Sequence, residues 1–84
     1  MTIGEFRELR RALGLTQSGM ARRMGLTLRT LQDIETGKSP LRMRHELLAE
    51  RVAFEIAVQN KEPMLAPQNI RAMALDLAKL IRGA

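Results

Sequence analysis

The feature that most restricts this chain is Gly25, a glycine set between two short runs of helical periodicity. Before it, Met20, Ala21 and Met24 fall at i, i+1 and i+4, so they share one face and leave Ser18, Arg22 and Arg23 on the other. After it, Leu31 and Ile34 point inward, while Leu28, Arg29, Gln32, Asp33 and Thr36 point outward. Gly25 suits the position beyond a helix end where φ is positive, and Leu26 can fold back onto the helix just left. Thr16 and Thr27 offer N-cap hydroxyls to the two runs. Two helices crossing at about 90–120° approach closely only over a small side chain, which Ala21 supplies. Residues 17–37 are therefore expected to form a helix-turn-helix.

The outward face of the second run carries side chains suited to major-groove base edges, Arg to guanine and Gln to adenine. Base reading is assigned to Thr27, Leu28, Arg29, Gln32 and Asp33. Leu28 either meets a thymine methyl or packs under the end of its helix, and the first is preferred. Asp33 either accepts from cytosine or neutralises Arg29 one turn earlier, and the second is preferred.

Taken together, Leu15-Thr16-Gln17, Ala21, Gly25, Leu31, Ile34, Glu35 and the closing Gly37-Lys38 resemble the Cro/repressor (XRE) family of helix-turn-helix DNA-binding proteins, over about residues 3–60. The resemblance implies an all-α fold, a five-helix lambda-repressor-like domain with an extended fourth helix and a C-terminal helix. It also implies that Gln17 contacts a phosphate and that an Arg10–Glu35 ion pair ties the first helix to the end of the recognition helix. A helix N-terminus, with its free N–H groups and positive dipole end, independently favours an anion near Gln17 and Ser18. Lys38, Arg42 and Arg44 follow the recognition helix and are further phosphate candidates, whereas Arg22 and Arg23 are divided between that role and a solvated outer face. Gly19 departs from the family, which carries a helix former there, at a cost of about 1 kcal/mol relative to alanine.

Charge placement agrees with an anionic ligand. Of the net +5, residues 1–45 hold nine Lys and Arg against four acids, whereas residues 46–84 hold five of each. All the excess positive charge thus lies in the half that contains the motif, as a phosphate-binding surface requires. The chain of 84 residues is near the lower limit for a self-sufficient core, so dimerisation would bury useful surface. It has no Cys, which excludes disulfides and thiolate metal sites, and no apolar run of membrane-spanning length or secretory h-region. A cytoplasmic protein is expected.

The rest of the chain divides at about residue 60, giving a DNA-binding domain over 1–60 and a C-terminal helix, for packing or dimerisation, over 61–84. Thr2 and Glu5 match a capping box for a first helix with Phe6, Leu9 and Leu13 inward and Gly14 as its stop. Ser39 and Pro40 read as N-cap and first residue of a fourth helix reaching about Gln59. That helix carries two apolar stripes, Leu41, Leu48, Val52 and Ile56 on one and Met43, Leu47, Phe54 and Val58 on the other. A fifth helix begins near Pro67 and places Ile70, Met73, Ala74, Leu77 and Ile81 on one face, as intramolecular core or as dimer contact.

An enzyme is not expected. His45 and Glu46 begin like a zinc HExxH motif, but no second His follows, so no metal or other cofactor is expected and His45 is placed on the helix surface or near a phosphate. The leading expectation is a sequence-specific double-stranded DNA-binding regulator, a repressor acting as a homodimer on an inverted repeat with half-sites about one helical turn apart. The alternative is an antitoxin or other protein-interaction module, holding a protein partner through the fourth and fifth helices and binding its own promoter.

Overall fold

The computed structural model describes residues 1–83, with five α-helices, one 3-10 turn and, among the described residues, no strand. The first helix, α1 (Ile3–Ala12), opens on a reciprocal cap: the Glu5 N–H donates to Thr2 Oγ1 at 3.1 Å and the Thr2 N–H donates to Glu5 Oε1 at 2.7 Å. Helix α2 (Gln17–Met24) starts where Thr16 Oγ1 accepts from the Gly19 N–H at 3.0 Å. A Cβ added at Gly19 would sit 3.3 Å from that same oxygen, so the glycine leaves room for the cap. The turn that follows has Gly25 at φ +75°, and the Leu26 N–H reaches back to the Ala21 carbonyl at 2.8 Å, closing the helix end as the sequence required. Thr27 Oγ1 then accepts from the Thr30 N–H at 3.1 Å to open α3 (Leu28–Glu35).

These caps fix the helix directions, and burial holds them together. Phe6 from α1, Met20 from α2, and Leu31 and Ile34 from α3 have no exposed surface, and Leu13, Ala21 and Met24 pack with them. Each fully buried side chain of this size stabilises by about 1.5–3 kcal/mol relative to exposure.

Helix α4 (Met43–Asn60) begins later than the Ser39 and Pro40 reading placed it. The Ser39 N–H donates to the Asp33 carbonyl at 3.0 Å, which completes the turn after α3, and Ser39 lies too far from the helix start at Met43 to cap it. The N-cap position is Arg42, whose N–H is received at 3.0 Å by Nδ1 of His45, three residues on. The buried face keeps Val52 and Ile56 of the first expected stripe and none of the second. It is His45, Ala49, Val52, Ala53, Ile56 and Ala57, while Leu48 is 37 % exposed and Leu41 is only partly buried before the helix starts. Three alanines on that face let α4 lie close against α1 and α2, and the bulkier Leu47, Leu48 and Val58 are turned outward.

The chain leaves α4 through Lys61, at φ +56°, passes a 3-10 turn (Pro63–Leu65) and enters α5 (Gln68–Ile81). Among the described residues of α5, none is buried. Its first turn is tied to α4, the Asn69 amide donating to Glu50 Oε2 at 2.9 Å, and Ile70, Ala74 and Ala78 are half-buried. Beyond that, α5 extends away, and the molecule measures 47 × 23 × 20 Å.

Candidate nucleic-acid interface

Helix α3 divides cleanly between two faces. Leu31, Ile34 and Glu35 are buried, whereas Leu28, Arg29 and Gln32 are exposed and Asp33 is half-exposed. Leu28, at the first position of the helix, is 41 % exposed. Arg29, with 76 % of its side chain exposed, stands 3.7 Å from Asp33 across one helical turn. An exposed pair of this kind contributes only a few tenths of a kcal/mol to the helix. Thr27 turns its hydroxyl back on Thr30, donating to Oγ1 at 2.9 Å, so it is engaged in the cap while remaining at the surface.

Behind this face lies a chain of hydrogen bonds anchored in the core. Arg10 donates to Glu35 through Nε at 2.7 Å and Nη2 at 3.1 Å, a two-pronged ion pair, and its Nη1 donates to the Leu15 carbonyl at 3.1 Å. One arginine thus holds α1, the loop into α2 and the last turn of α3. Glu35 Oε1 also accepts from the Gln17 amide at 3.0 Å, and the Gln17 carbonyl oxygen accepts from the Gln32 amide at 3.4 Å. Gln17 therefore bridges the buried carboxylate and the exposed face of α3, with one amide hydrogen left over for an external acceptor. The second amide hydrogen and the carbonyl oxygen of Gln32 remain free, the donor–acceptor pair that adenine matches.

Burial alone would raise the Glu35 carboxyl above its ordinary value. Hydrogen bonds from Arg10 and Gln17, with the positive charges of Arg10 and Arg7, outweigh burial and hold it below. His45 is held below the usual imidazole value, by burial first and then by the charges of Arg44 and Arg42. The neutral ring is the form that can accept the Arg42 N–H. His45 is buried, which corrects its expected place on the helix surface; it closes the start of α4. The spacing could have indicated this, since a side-chain acceptor three residues beyond an N-cap is the capping-box position.

The other phosphate candidates are on the surface. Ser18 is exposed in the first turn of α2, Lys38 in the turn after α3, and Arg42 and Arg44 at the start of α4, with Arg22 and Arg23 exposed on α2. Among the described residues, no cluster of three His, Cys, Asp or Glu could hold a metal ion, and no helix is long and apolar enough to cross a membrane.

Residues 6–45 match the profile of the helix-turn-helix family. These residues belong to the Cro/repressor-type helix-turn-helix family. No curated protein and no solved structure matches the chain. The matched segment starts at Phe6, the buried centre of α1, and ends at His45, the residue that closes the start of α4. The helix-turn-helix domain is accordingly a DNA-binding regulatory module, and its lambda-repressor-like, all-helical fold is the one described above.

Proposed function

We propose that this protein is a sequence-specific repressor of transcription that binds an inverted-repeat operator as a homodimer, with α3 of each subunit in successive major grooves about one helical turn apart. The observation that carries this reading is the division of α3, which commits Leu31, Ile34 and Glu35 to the core and frees Leu28, Arg29, Gln32 and Asp33 for base edges. In this arrangement Arg29 addresses guanine, Gln32 addresses adenine and Leu28 lies against a thymine methyl, with Thr27 at the groove edge. Asp33 steadies Arg29. Gln17, Ser18, Lys38, Arg42 and Arg44 hold flanking phosphates, and counterion release from those contacts supplies much of the affinity.

Selection of binding sites from random DNA tests the reading directly, because the enriched sequence reports symmetry and spacing as well as preference. Against the selected site, Arg29→Ala and Gln32→Ala should each lose about 1–3 kcal/mol of specific binding, with affinity for unrelated DNA little changed. Undiminished affinity for the selected site in both variants would remove these residues from the reading face.

A further inference from the structure

Helices α4 and α5 are joined through the 3-10 turn, and a cleft of about 430 Å³ opens between them beside that junction. Its walls are apolar: Phe54, Ala57 and Val58 come from α4, Ala66 from the segment after the turn, and Ala74 and Leu75 from α5. Val58 and Leu75 are 65 % and 62 % exposed, so the cleft is open to an occupant from solvent. Two cations, Lys61 and Arg71, line the end nearest the junction, and no acidic residue lines the cleft; Glu62 follows Lys61 but lies off its wall. Neither cation is paired with a carboxylate among the described residues: Arg71 Nη1 donates to the Ala66 carbonyl, and Lys61 enters none of the ion pairs. Lys61 also has φ +56°, the one positive value at a non-glycine residue among the described residues. Glycine would take that conformation without strain, so the lysine side chain is present at a cost to the fold. On the other flank of α5 a wider groove of about 650 Å³ carries Glu50, Arg51 and Glu55. The two grooves differ in sign, and the smaller one is suited to an anion.

We infer that the cleft binds the anion of a medium-chain fatty acid, with its carboxylate on Lys61 and Arg71 and its tail between α4 and α5. The volume lies toward the low end of the range for small-molecule sites, about 300–1,000 Å³. At about 30 Å³ for each water-sized group it holds roughly fourteen non-hydrogen atoms, close to the size of an acid of about ten carbons. Phe54, Ala57, Val58 and Lys61 follow one another by helical turns, as do Arg71, Ala74 and Leu75, so the trough runs along the helices and suits an unbranched tail. Among the described residues Arg71 Nε and Nη2 have no protein acceptor, and this edge of a guanidinium holds a carboxylate by two parallel N–H bonds. The described residues of α5 include none that is buried, and a tail in the cleft would cover Val58 and Leu75 together and tie α5 to α4.

The cleft contains no residue of α3 and is tested without DNA, so its failure would leave the assignment of α3 standing. Calorimetric titration of the full chain with sodium decanoate, kept below the concentration at which it forms micelles, should saturate at one site per chain with Kd below about 1 mM. Bound decanoate should slow amide exchange in α5 by about tenfold. Decylamine, which has the same tail and the opposite charge, should not bind. Arg71→Met should weaken decanoate binding by about tenfold, and Leu75→Asp, at an exposed wall position, should abolish it with an unchanged helical spectrum. Lys61→Gly is the decisive variant. It should raise the melting temperature, because the left-handed strain is relieved, and weaken binding by about threefold, so that lost affinity cannot be lost folding. Absence of saturation with decanoate would overturn the inference, as would decylamine binding as tightly. Undiminished affinity in either Leu75→Asp or Lys61→Gly, or decanoate that leaves exchange in α5 unaltered, would overturn it too.

Discussion

Replacing Glu35 with alanine should destabilise the whole helix-turn-helix domain, and the geometry gives the size of the effect. The Arg10 side chain is 12 % exposed and that of Glu35 3 %, so removing the carboxylate leaves a guanidinium that can neither reach water freely nor lose its charge. Breaking a buried pair in this way costs about 3–5 kcal/mol, and the partial access of Arg10 to solvent points to the lower figure. A chain of 84 residues has about 4–13 kcal/mol of stability in total, so about 3 kcal/mol is a large part of it. At about 4–8 °C per kcal/mol the melting temperature should fall by about 12–24 °C. Urea unfolding followed by far-ultraviolet circular dichroism at pH 7 measures this directly. The companion variant, Arg10→Met with Glu35→Leu, leaves no orphaned charge and should lie within about 1 kcal/mol of the native chain. The same pair sets the acid limit. The folded Glu35 carboxyl lies below its unfolded value of about 4.3, so its contribution is complete above that pH and disappears as the pH falls through the folded value. A loss below about 1 kcal/mol for Glu35→Ala, or a double variant as unstable as the single one, would refute the reasoning.

Three further outcomes are expected. Gly25→Ala meets no atom within 4 Å but must adopt φ +75°, so it should cost about 1–2 kcal/mol, whereas an unchanged melting temperature would show that the turn relaxes freely. Because burial lowers the His45 value, stability should be greatest above about pH 6.5 and decline as the pH falls toward the folded value; in His45→Gln, which retains an acceptor for the Arg42 N–H, that part of the slope should vanish from urea midpoints taken between pH 7.5 and 5.5. Lys38→Ala should weaken binding to all duplexes alike and reduce the salt slope of the logarithmic binding constant by about 0.9, and an unaltered slope would take Lys38 away from the phosphates.

The parts of the fold legible in the sequence are those governed by neighbouring residues. Thr2 with Glu5, Thr16, Gly25 and Thr27 each act within three or four positions, and the cap or turn follows from residue type. The start of α4 was not legible by that rule. Ser39 followed by Pro40 carries the local pattern of a helix start, but the Ser39 N–H is taken by a carbonyl six residues back, and the true start is closed from within by His45. The packed face of α4 was obscured for another reason. Large apolar residues dominate a periodicity reading, whereas close approach of two helices selects Ala49, Ala53 and Ala57, which register weakly in such a pattern. At the interface, the outward residues of α3 follow from helical spacing alone. The second partner of Gln17 does not, because a hydrogen bond between residues 15 positions apart depends on how α2 crosses α3.

That contact has a bearing on how freely such a protein can acquire a new target. Positions 28, 29 and 33 can be exchanged without disturbing the interior, so drift or deliberate redesign can move through them one at a time. Position 32 is different. A change there removes a 3.4 Å hydrogen bond to Gln17, the side chain that also braces the carboxylate locking three helices, so position 32 is tied to the scaffold where its neighbours are not.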